Sequence, residues 1–415
     1  MLSGLLEKVF SSLVRQGRLE VTYADGRTVS FGTPEPGFPD NAVRFTDKDV
    51  PRDILKDPRL GTAECYMDGR IVIERGDIMS LIGLVQANKP WERKGRLPRP
   101  GVAKRVQNAV NYTVTSFNKA DRSKRNVAHH YDIGNDLYRI MLDADHMQYS
   151  CAYWPDADMT LEQAQEAKLA HIAAKLALAP GNHVLDIGCG WGGMAIFLAR
   201  HADVTVHGIT LSEEQLTLAR ARAEQAGVAN RVTFELVDYR DLAGRGERFD
   251  RIVSVGMFEH VGQPQFATFF RACANLLTDD GVMLLHTIGR MGGPGKTDAF
   301  TLKYVFPGGY IPALSETLAA SERARLIVTD VETLRLHYAR TLCEWYKRCV
   351  EHRDEIVAMF DERFFRMWTF YLSGSTAAFE SGGMCNYQIQ YTRSRRTLPL
   401  TRGYMERAES SLLEH

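Results

Sequence analysis

Apolar residues beyond residue 160 alternate between short β-branched runs and longer stretches with helical spacing. A short apolar run predicts a buried strand, and apolar positions at i, i+3, i+4 and i+7 predict one face of a helix. The predicted strands are Val184–Ile187, Val204–Ile209, Val232–Val237, Arg251–Val255 and Val282–His286. The predicted helices are Leu161–Leu178, Met194–His201, Glu213–Ala226 and Gln265–Leu277. This alternation predicts an α/β fold built on a doubly wound, mostly parallel sheet.

The two ends of the chain follow other patterns. Residues 1–88 combine an amphipathic helix, short strands and an Asp25-Gly26 turn, which predicts a small α+β domain. The polar face of that helix is not rich in Lys or Arg, which favours packing on the domain over a role at a membrane surface. Beyond Arg353 the spacing is helical and rich in aromatic residues, and a polar tail is expected from about Arg393.

Residues 89–125 differ from the rest of the chain in their charge. They contain eleven Lys or Arg residues against two acids, with Pro90, Pro98 and Pro100 near the start. The segment is predicted to be a basic linker, either a solvated connector or a surface attracted to anionic lipid. Aromatic residues are sparse in it, so nucleic acid is not the expected partner. The chain is therefore predicted to contain a small domain at 1–88, the basic linker at 89–125 and a second domain at 126–415.

The composition of the chain indicates the compartment and the kinds of site to expect, but it does not indicate the activity. Lys plus Arg and Asp plus Glu both number 51, so bulk charge indicates no particular partner. The seven cysteines are dispersed and include no C-x-x-C pair, which is typical of reduced cytoplasmic thiols and speaks against a metal site. Apolar runs long enough to cross a bilayer are missing from the sequence, so a membrane-spanning protein is not expected.

The segment VLDIGCGWGG at 184–193 has the form of a strand end, a glycine turn and a helix start. It satisfies G-x-G-x-x-G through Gly188, Gly190 and Gly193, so a nicotinamide or flavin site competes with an S-adenosylmethionine site. Asp186 could meet a ligand ammonium, and the ribose-binding acid expected about 20 residues further on in dinucleotide folds is missing from 208–212. Both features favour S-adenosylmethionine.

Ligands in such sheets bind at the carboxyl ends of the strands. Cys151, Glu259 and His286 fall on this edge or just before the sheet. A nucleophilic Cys/His pair is one interpretation. A neighbouring carboxylate would raise the pKa of the thiol, which disfavours a thiolate nucleophile. This favours a second interpretation, in which thiol, imidazole and carboxyl groups are arranged around a small oxyanion.

Six motifs then occur in the order and spacing of one family. They are Tyr131–Asp136 (YDIGND), Gln148–Trp154 (QYSCAYW), Val184–Gly193, Phe258–Val261 (FEHV), Leu285–Gly289 (LHTIG) and Tyr304–Pro307 (YVFP). The chain resembles the cyclopropane-fatty-acyl-phospholipid synthases of the mycolic acid cyclopropane synthase superfamily over most of 125–395. The resemblance implies a Rossmann-like class I methyltransferase domain at 126–415 and, more loosely, a lipid-binding domain at 1–88.

The resemblance also implies a reaction and its residues. A methylene group passes from S-adenosylmethionine to the cis double bond of a phospholipid acyl chain, and bound bicarbonate removes a proton from the resulting carbocation. The positions implied for bicarbonate are Cys151, Glu259, His286, the backbone of Ile288, and Tyr338, although the sequence around Tyr338 departs from the family pattern. The positions matching or expected for the cofactor are Tyr149, Ser150, Asp186, Gly188, Cys189, Gly190, Thr210, Gln215, Asp238, Tyr239 and Arg240.

Two other functions remain open at this point. A fatty-acyl C-methyltransferase making a methyl or methylene branch begins with the same carbocation, and a non-catalytic lipid-binding protein could keep the same fold. The family further implies a homodimer in the cytoplasm, associated peripherally with the inner membrane. Its expected partners are phospholipid acyl chains and not nucleic acid.

The linker interpretation yields a first test. We expect that replacing the Lys and Arg residues of 89–105 by Gln weakens binding to anionic vesicles, because each basic residue near such a surface contributes about 1 kcal/mol. Salt screens this attraction, so the loss should be larger at low than at high ionic strength in a vesicle co-sedimentation assay. Unchanged binding at both ionic strengths would remove the linker from membrane attachment.

Overall fold

A computed structural model describes residues 2–93 and 134–413. Most of the predicted linker and the first three residues of the YDIGND motif lie outside these ranges. The strands are β1 (Arg18–Thr22), β2 (Thr28–Phe31), β3 (Asp40–Phe45), β4 (Ile71–Arg75), β5 (Asn182–Ile187), β6 (Val204–Thr210), β7 (Val232–Leu236), β8 (Phe249–Val255), β9 (Leu277–Arg290), β10 (Ile327–Leu334) and β11 (Met384–Thr392). 

The α-helices of the described residues run in the same chain order. They are α1 (Leu2–Leu13), α2 (Val50–Lys56), α3 (Leu60–Met67), α4 (Ile78–Ala87), α5 (Asn135–Met141), α6 (Leu161–Lys175), α7 (Gly193–His201), α8 (Glu213–Gln225), α9 (Tyr239–Leu242), α10 (Phe266–Leu276), α11 (Leu314–Arg323), α12 (His337–Glu351), α13 (Arg353–Met359), α14 (Glu362–Glu380) and α15 (Gly403–Leu413).

Two compact units divide the described chain, and neither is continuous in sequence. The N-terminal unit contains residues 2–93 together with Asp298–Pro307 and Ala339–Met384. The sheet unit contains 134–297, Gly308–Tyr338 and 385–413. The sequence-based boundaries stay a prediction, and they give no hint that two later segments join the first unit.

The N-terminal unit is built on a four-stranded sheet in the order β2-β1-β3-β4. β1 is antiparallel to β2 and parallel to β3, and its alternating burial places Leu19 and Val21 in the core. Helices α3 and α4 pack against the late helix α14. Asp77 caps α4 by accepting from Ser80 N, and Tyr346 donates its hydroxyl to the same carboxylate. The unit contains the predicted amphipathic helix and short strands, whereas the short helices α2 and α3 were not predicted.

The sheet unit confirms the predicted doubly wound fold. Its seven strands lie in the order β10-β11-β9-β8-β5-β6-β7, and β5 to β9 are mutually parallel. The register pairs Ile187 with Ser254 and Val255 with His286, which brings the carboxyl ends of β5, β8 and the middle of β9 to one edge. The core between β5, β6 and the surrounding helices includes Val184, Phe197 and Val206.

The end of the chain differs from the sequence-based expectation. β11 lies between β9 and β10, and α15 packs on α6 where a polar tail was predicted. Asn386, Gln388 and Gln390 alternate with Tyr387, Ile389 and Tyr391, and all six are buried. A strand that buries amides on one face lacks the apolar pattern by which buried strands are found. Among the described residues, no helix is both long and apolar enough to cross a membrane.

The cap of α14 gives a stability test. Asp361 precedes the helix and accepts a hydrogen bond from Phe364 N at 2.6 Å. We expect Asp361→Ala to lower the free energy of unfolding by about 1 kcal/mol, because a helix-terminal N–H loses its partner. Chemical denaturation measures the change, with Asp354→Ala as the exposed control and Asp361→Asn as the variant that keeps the cap. Equal stability of the Ala and Asn variants at 361 would contradict it.

Candidate active site

The site begins at the glycine turn after β5. Gly188 and Gly190 have φ values of +83° and +54°, which glycine adopts without strain. The amides of Gly188 and Cys189 both donate to Ile209 O, at 2.9 and 3.0 Å, and tie the turn to β6. A Cβ placed on Gly190 would meet no atom within 4 Å. The turn therefore leaves open space above its backbone.

A cleft follows the carboxyl edge of the sheet at this turn. It is open to solvent at its mouth and is lined by the glycine turn and by the ends of the neighbouring strands. The structure brings together in its walls all eleven residues predicted for the cofactor: Tyr149, Ser150, Asp186, Gly188, Cys189, Gly190, Thr210, Gln215, Asp238, Tyr239 and Arg240. Their roles toward a ligand stay a prediction, whereas their assembly at one edge is a feature of the fold.

Two pairs within this wall are already hydrogen-bonded to each other. Thr210 Oγ1 donates to Gln215 Oε1 at 2.9 Å. Asp238 caps α9 and holds Arg240 with both carboxylate oxygens, at 2.8 and 2.6 Å. The charge of Asp238 is thus paired with the Arg240 guanidinium. A ligand that donates a hydrogen bond to Asp238 or to Gln215 Oε1 must therefore use a lone pair that these contacts leave free.

Asp186 is the buried acid of the cleft. It is 2% exposed, and its Oδ2 has no hydrogen-bond partner in the described residues. Burial raises the pKa of Asp186 to about 7, and the positive charge of Lys168 opposes the rise. An unpartnered buried carboxyl is costly, and a ligand ammonium would satisfy it.

Lys168 of α6 is a buried cation that the sequence analysis missed. It is fully buried, and it donates to Gln148 Oε1 and to Ser150 Oγ, the latter at 3.0 Å. Burial lowers the pKa of Lys168 to about 7, although Asp143, Cys151 and Asp186 favour its charged form. The flanking residues of α6 are buried all round the helix, so no polar stripe marks Lys168 in the sequence.

Glu259 provides the second buried carboxyl, in the short turn after β8. Its Oε1 accepts from Ile288 N at 2.6 Å, and its Oε2 is buried without a partner in the described residues. Burial raises the pKa of Glu259 to about 7 against the hydrogen bond from Ile288. The Ile288 amide was predicted to hold an anion, and here it donates to Glu259.

The other three predicted oxyanion residues are all buried. Burial raises the pKa of the Cys151 thiol well above its usual range, and the thiol donates to Ala152 O at 3.3 Å. This favours a neutral donor over a thiolate nucleophile. Burial lowers the pKa of His286 well below its usual value, with Lys168 and Lys175 adding to the effect. Tyr338 lies in the first turn of α12.

This fold and cleft define an S-adenosylmethionine-dependent methyltransferase. The family model described as mycolic acid cyclopropane synthetase matches residues 118–389, and the chain belongs to that family. Residues 5–90 match a domain described as of unknown function.

Individual relatives agree with this placement. The chain is 39% identical to the cyclopropane-fatty-acyl-phospholipid synthase of Escherichia coli strain K12, over 85% of this chain and 87% of the relative. It is 43% identical to a Pseudomonas putida protein named "Probable fatty acid methyltransferase", over 68% of this chain and 73% of the relative. A solved mycolic acid cyclopropane synthase complexed with SAH is 33% identical, with a TM-score of 0.61, covering 65% of this chain and 97% of the other.

The raised pKa of Asp186 yields a test by pH. A ligand ammonium pairs with the ionised carboxylate, so binding must remove the proton that Asp186 carries below about pH 7. We expect the affinity for S-adenosylhomocysteine to fall about tenfold per pH unit below 7 and to level off above it. Isothermal titration calorimetry measures this.

Matched variants separate Asp186 from the general effect of acid. Asp186→Asn should bind more weakly and lose the steep pH dependence, whereas Asp203→Asn, at an exposed position, should keep it. A steep dependence that survives in Asp186→Asn would assign the titration to another group.

Proposed function

We propose that this enzyme transfers a methylene group from S-adenosylmethionine to the cis double bond of unsaturated phospholipid acyl chains and closes a cyclopropane ring. The observation that carries the proposal is Glu259, whose buried Oε2 has no hydrogen-bond partner among the described residues and which directly precedes His260 and Val261 of the cleft wall. Closing the ring requires a proton to leave the added carbon, and therefore a place for a base.

The cofactor wall would orient the methyl donor. Asp186 pairs with the ammonium, and Thr210 and Gln215 offer neutral hydrogen bonds in place of the ribose acid of dinucleotide folds. The bare backbone of Gly190 lets the ligand approach the sheet edge. S-adenosylmethionine supplies an electrophilic methyl carbon, which the π electrons of the alkene attack while the C–S bond breaks toward sulfur.

The second group would be an anion held beside that carbon. Bicarbonate, when bound, supplies an oxygen base that accepts a proton from the added methyl. The chain fits it with groups that are neutral when buried: the thiol of Cys151, the imidazole of His286, and Glu259 when protonated at Oε2. Tyr338 and the Ile288 amide complete the proposed set, with Ile288 now engaged by Glu259. A neutral donor set holds an anion without being alkylated as a charged carboxylate base would be.

We propose a phospholipid acyl chain as the acceptor on the basis of the relatives and of the basic segment 89–125. The Escherichia coli relative is named for phospholipid acyl chains. A lipid-binding role for the N-terminal unit, peripheral attachment to the inner membrane from the cytoplasm, and a homodimer belong to the same proposal. The basic residues of 89–125 supply the charge for such attachment.

A second candidate function has its own support. The Pseudomonas putida relative is named as a fatty acid methyltransferase and is the more similar of the two in percentage identity. An enzyme of that kind would also remove a proton from the carbocation, but the electron pair left behind would form a double bond, which leaves a branch instead of a ring. Both products gain one CH2 at that stage, so mass alone does not separate them.

The deciding experiment combines mass analysis with ozone. Vesicles of monounsaturated phospholipid are incubated with methyl-labelled S-adenosylmethionine, and the acyl chains are analysed before and after ozonolysis. A labelled chain that resists ozone carries a ring, whereas a methylene branch is cleaved. Label appearing only in cleavable chains would establish the second function.

Glu259→Gln tests the proposed anion site in the same assay. The amide keeps the shape, an acceptor for Ile288 N and a neutral donor in place of the protonated Oε2, so we expect cyclopropane formation to persist at a reduced rate, whereas Glu259→Leu, which removes both the acceptor and the donor, should lower it at least about a hundredfold. The Leu variant is the decisive one of the two. The affinity for S-adenosylhomocysteine should change little, which checks that the fold and the cofactor wall are intact. Full activity of the Leu variant would overturn the assignment of Glu259.

A further inference from the structure

His286 is held at both ring nitrogens by side chains of β11. Gln388 Nε2 lies 3.2 Å from His286 Nδ1, and Asn386 Nδ2 lies 3.3 Å from Nε2. Asn386 and Gln388 are two residues apart on one strand, so they point to the same face of the sheet. Each nitrogen of the imidazole therefore meets a side-chain amide, and each amide can present either its oxygen or its nitrogen.

Lys175 removes that freedom for Gln388. The Lys175 ammonium is 1% exposed and donates to Gln388 Oε1 at 2.7 Å. Burial lowers the pKa of Lys175, and the carboxylates of Glu332 and Asp330 oppose this by favouring the charged form. An ammonium can only donate, so the oxygen of Gln388 must face Lys175 and the nitrogen must face His286.

This orientation determines the proton on His286. Gln388 Nε2–H donates, so His286 Nδ1 must accept, and a neutral imidazole with an accepting Nδ1 carries its proton on Nε2. Asn386 imposes no competing choice. Its Oδ1 is buried without a hydrogen-bond partner in the described residues, so its amide can turn to accept from Nε2–H while no anion is bound and release that hydrogen when an anion enters.

We propose that Lys175 and Gln388 are positioning residues that hold His286 in its Nε2–H tautomer, so that Nε2 is the ring atom that donates to the bound anion. The inference rests on the proposed role of His286 beside bicarbonate. The tautomer itself, however, can be observed without any activity. Lys175 and Gln388 act only through His286.

Gln388→Glu is the sharpest variant. A carboxylate at 388 can accept from Lys175 and from His286 but can donate to neither, so the proton of His286 must move to Nδ1. Asn386 Nδ2 then donates to the bare Nε2. The side chain keeps its size, and Lys175 keeps an acceptor.

The tautomer is read by long-range ¹H–¹⁵N correlation in ¹⁵N-histidine-labelled protein, with the His286 signals identified by their loss in His286→Asn. The full chain should show Nε2–H at His286 before any substitution at Gln388. A wild-type spectrum with Nδ1–H would overturn the inference even if no variant folds. Gln388→Glu should show Nδ1–H, and an unchanged Nε2–H signal in it would also overturn the inference.

Gln390→Glu is the matched control. Gln390 lies two residues further along the same face of β11, is 1% exposed, and bonds to Lys175 O and Tyr404 without contacting His286. It receives the same chemical change in the same strand, so it reports the cost of a buried carboxylate alone. The His286 tautomer should be unchanged in it.

Activity separates this inference from the proposed function. In the vesicle assay, Gln388→Glu should weaken the apparent affinity for added bicarbonate by about tenfold or more, as expected for one lost hydrogen bond to a charged group. Lys175→Met should give a smaller loss, because the Gln388 amide can then turn. A wild-type chain that makes no cyclopropane refutes the proposed function while leaving the tautomer result standing. An active wild type with unchanged bicarbonate dependence in Gln388→Glu refutes the inference alone.

Discussion

The parallel register of β5, β8 and β9 is the constraint on which the site depends. Because Ile187 pairs with Ser254 and Val255 with His286, the glycine turn, the Glu259 turn and the imidazole reach one edge together. A slip of one residue would send each side chain to the opposite face of its strand. The positions of these side chains are therefore determined by the backbone hydrogen bonds between the strands, which lie some distance from the cleft. The loops at the sheet edge only complete the walls of the cleft.

The burial of titratable side chains is the second physical determinant of the site. Burial lowers the pKa of His286 well below its usual value and so favours the neutral imidazole. Asp186, Lys168 and Glu259 are removed from water with fewer partners than their charged forms require, and burial moves the pKa of each to about 7. Groups of this kind change protonation at little cost when a charged ligand enters. The same desolvation that makes the edge unfavourable by itself makes it responsive to an ammonium and to an anion.

The sequence contained much of this architecture but not all of it. β5 to β9 were predictable because strands buried on both faces are continuous apolar runs. The eleven cofactor positions were predictable because strand ends and motifs mark them, and they do line one cleft. Lys168, Lys175, Asn386 and Gln388 were not, since a polar residue inside a buried helix or strand resembles a surface residue until its neighbours are known. Only the tertiary contacts reveal that these four are buried.

The discontinuous N-terminal unit has a consequence for synthesis on the ribosome. Its first helices and strands emerge early, but α14, which packs on α3 and α4, is not complete until residue 380 has been added. Domains made from one continuous segment can fold as they emerge. Here the first segment must wait, with part of its apolar surface uncovered, while the whole of β5 to β10 is translated. The nascent chain therefore offers an early and prolonged target for chaperones, and the sheet unit is completed later still, because β11, which lies between β9 and β10, follows α14 in sequence.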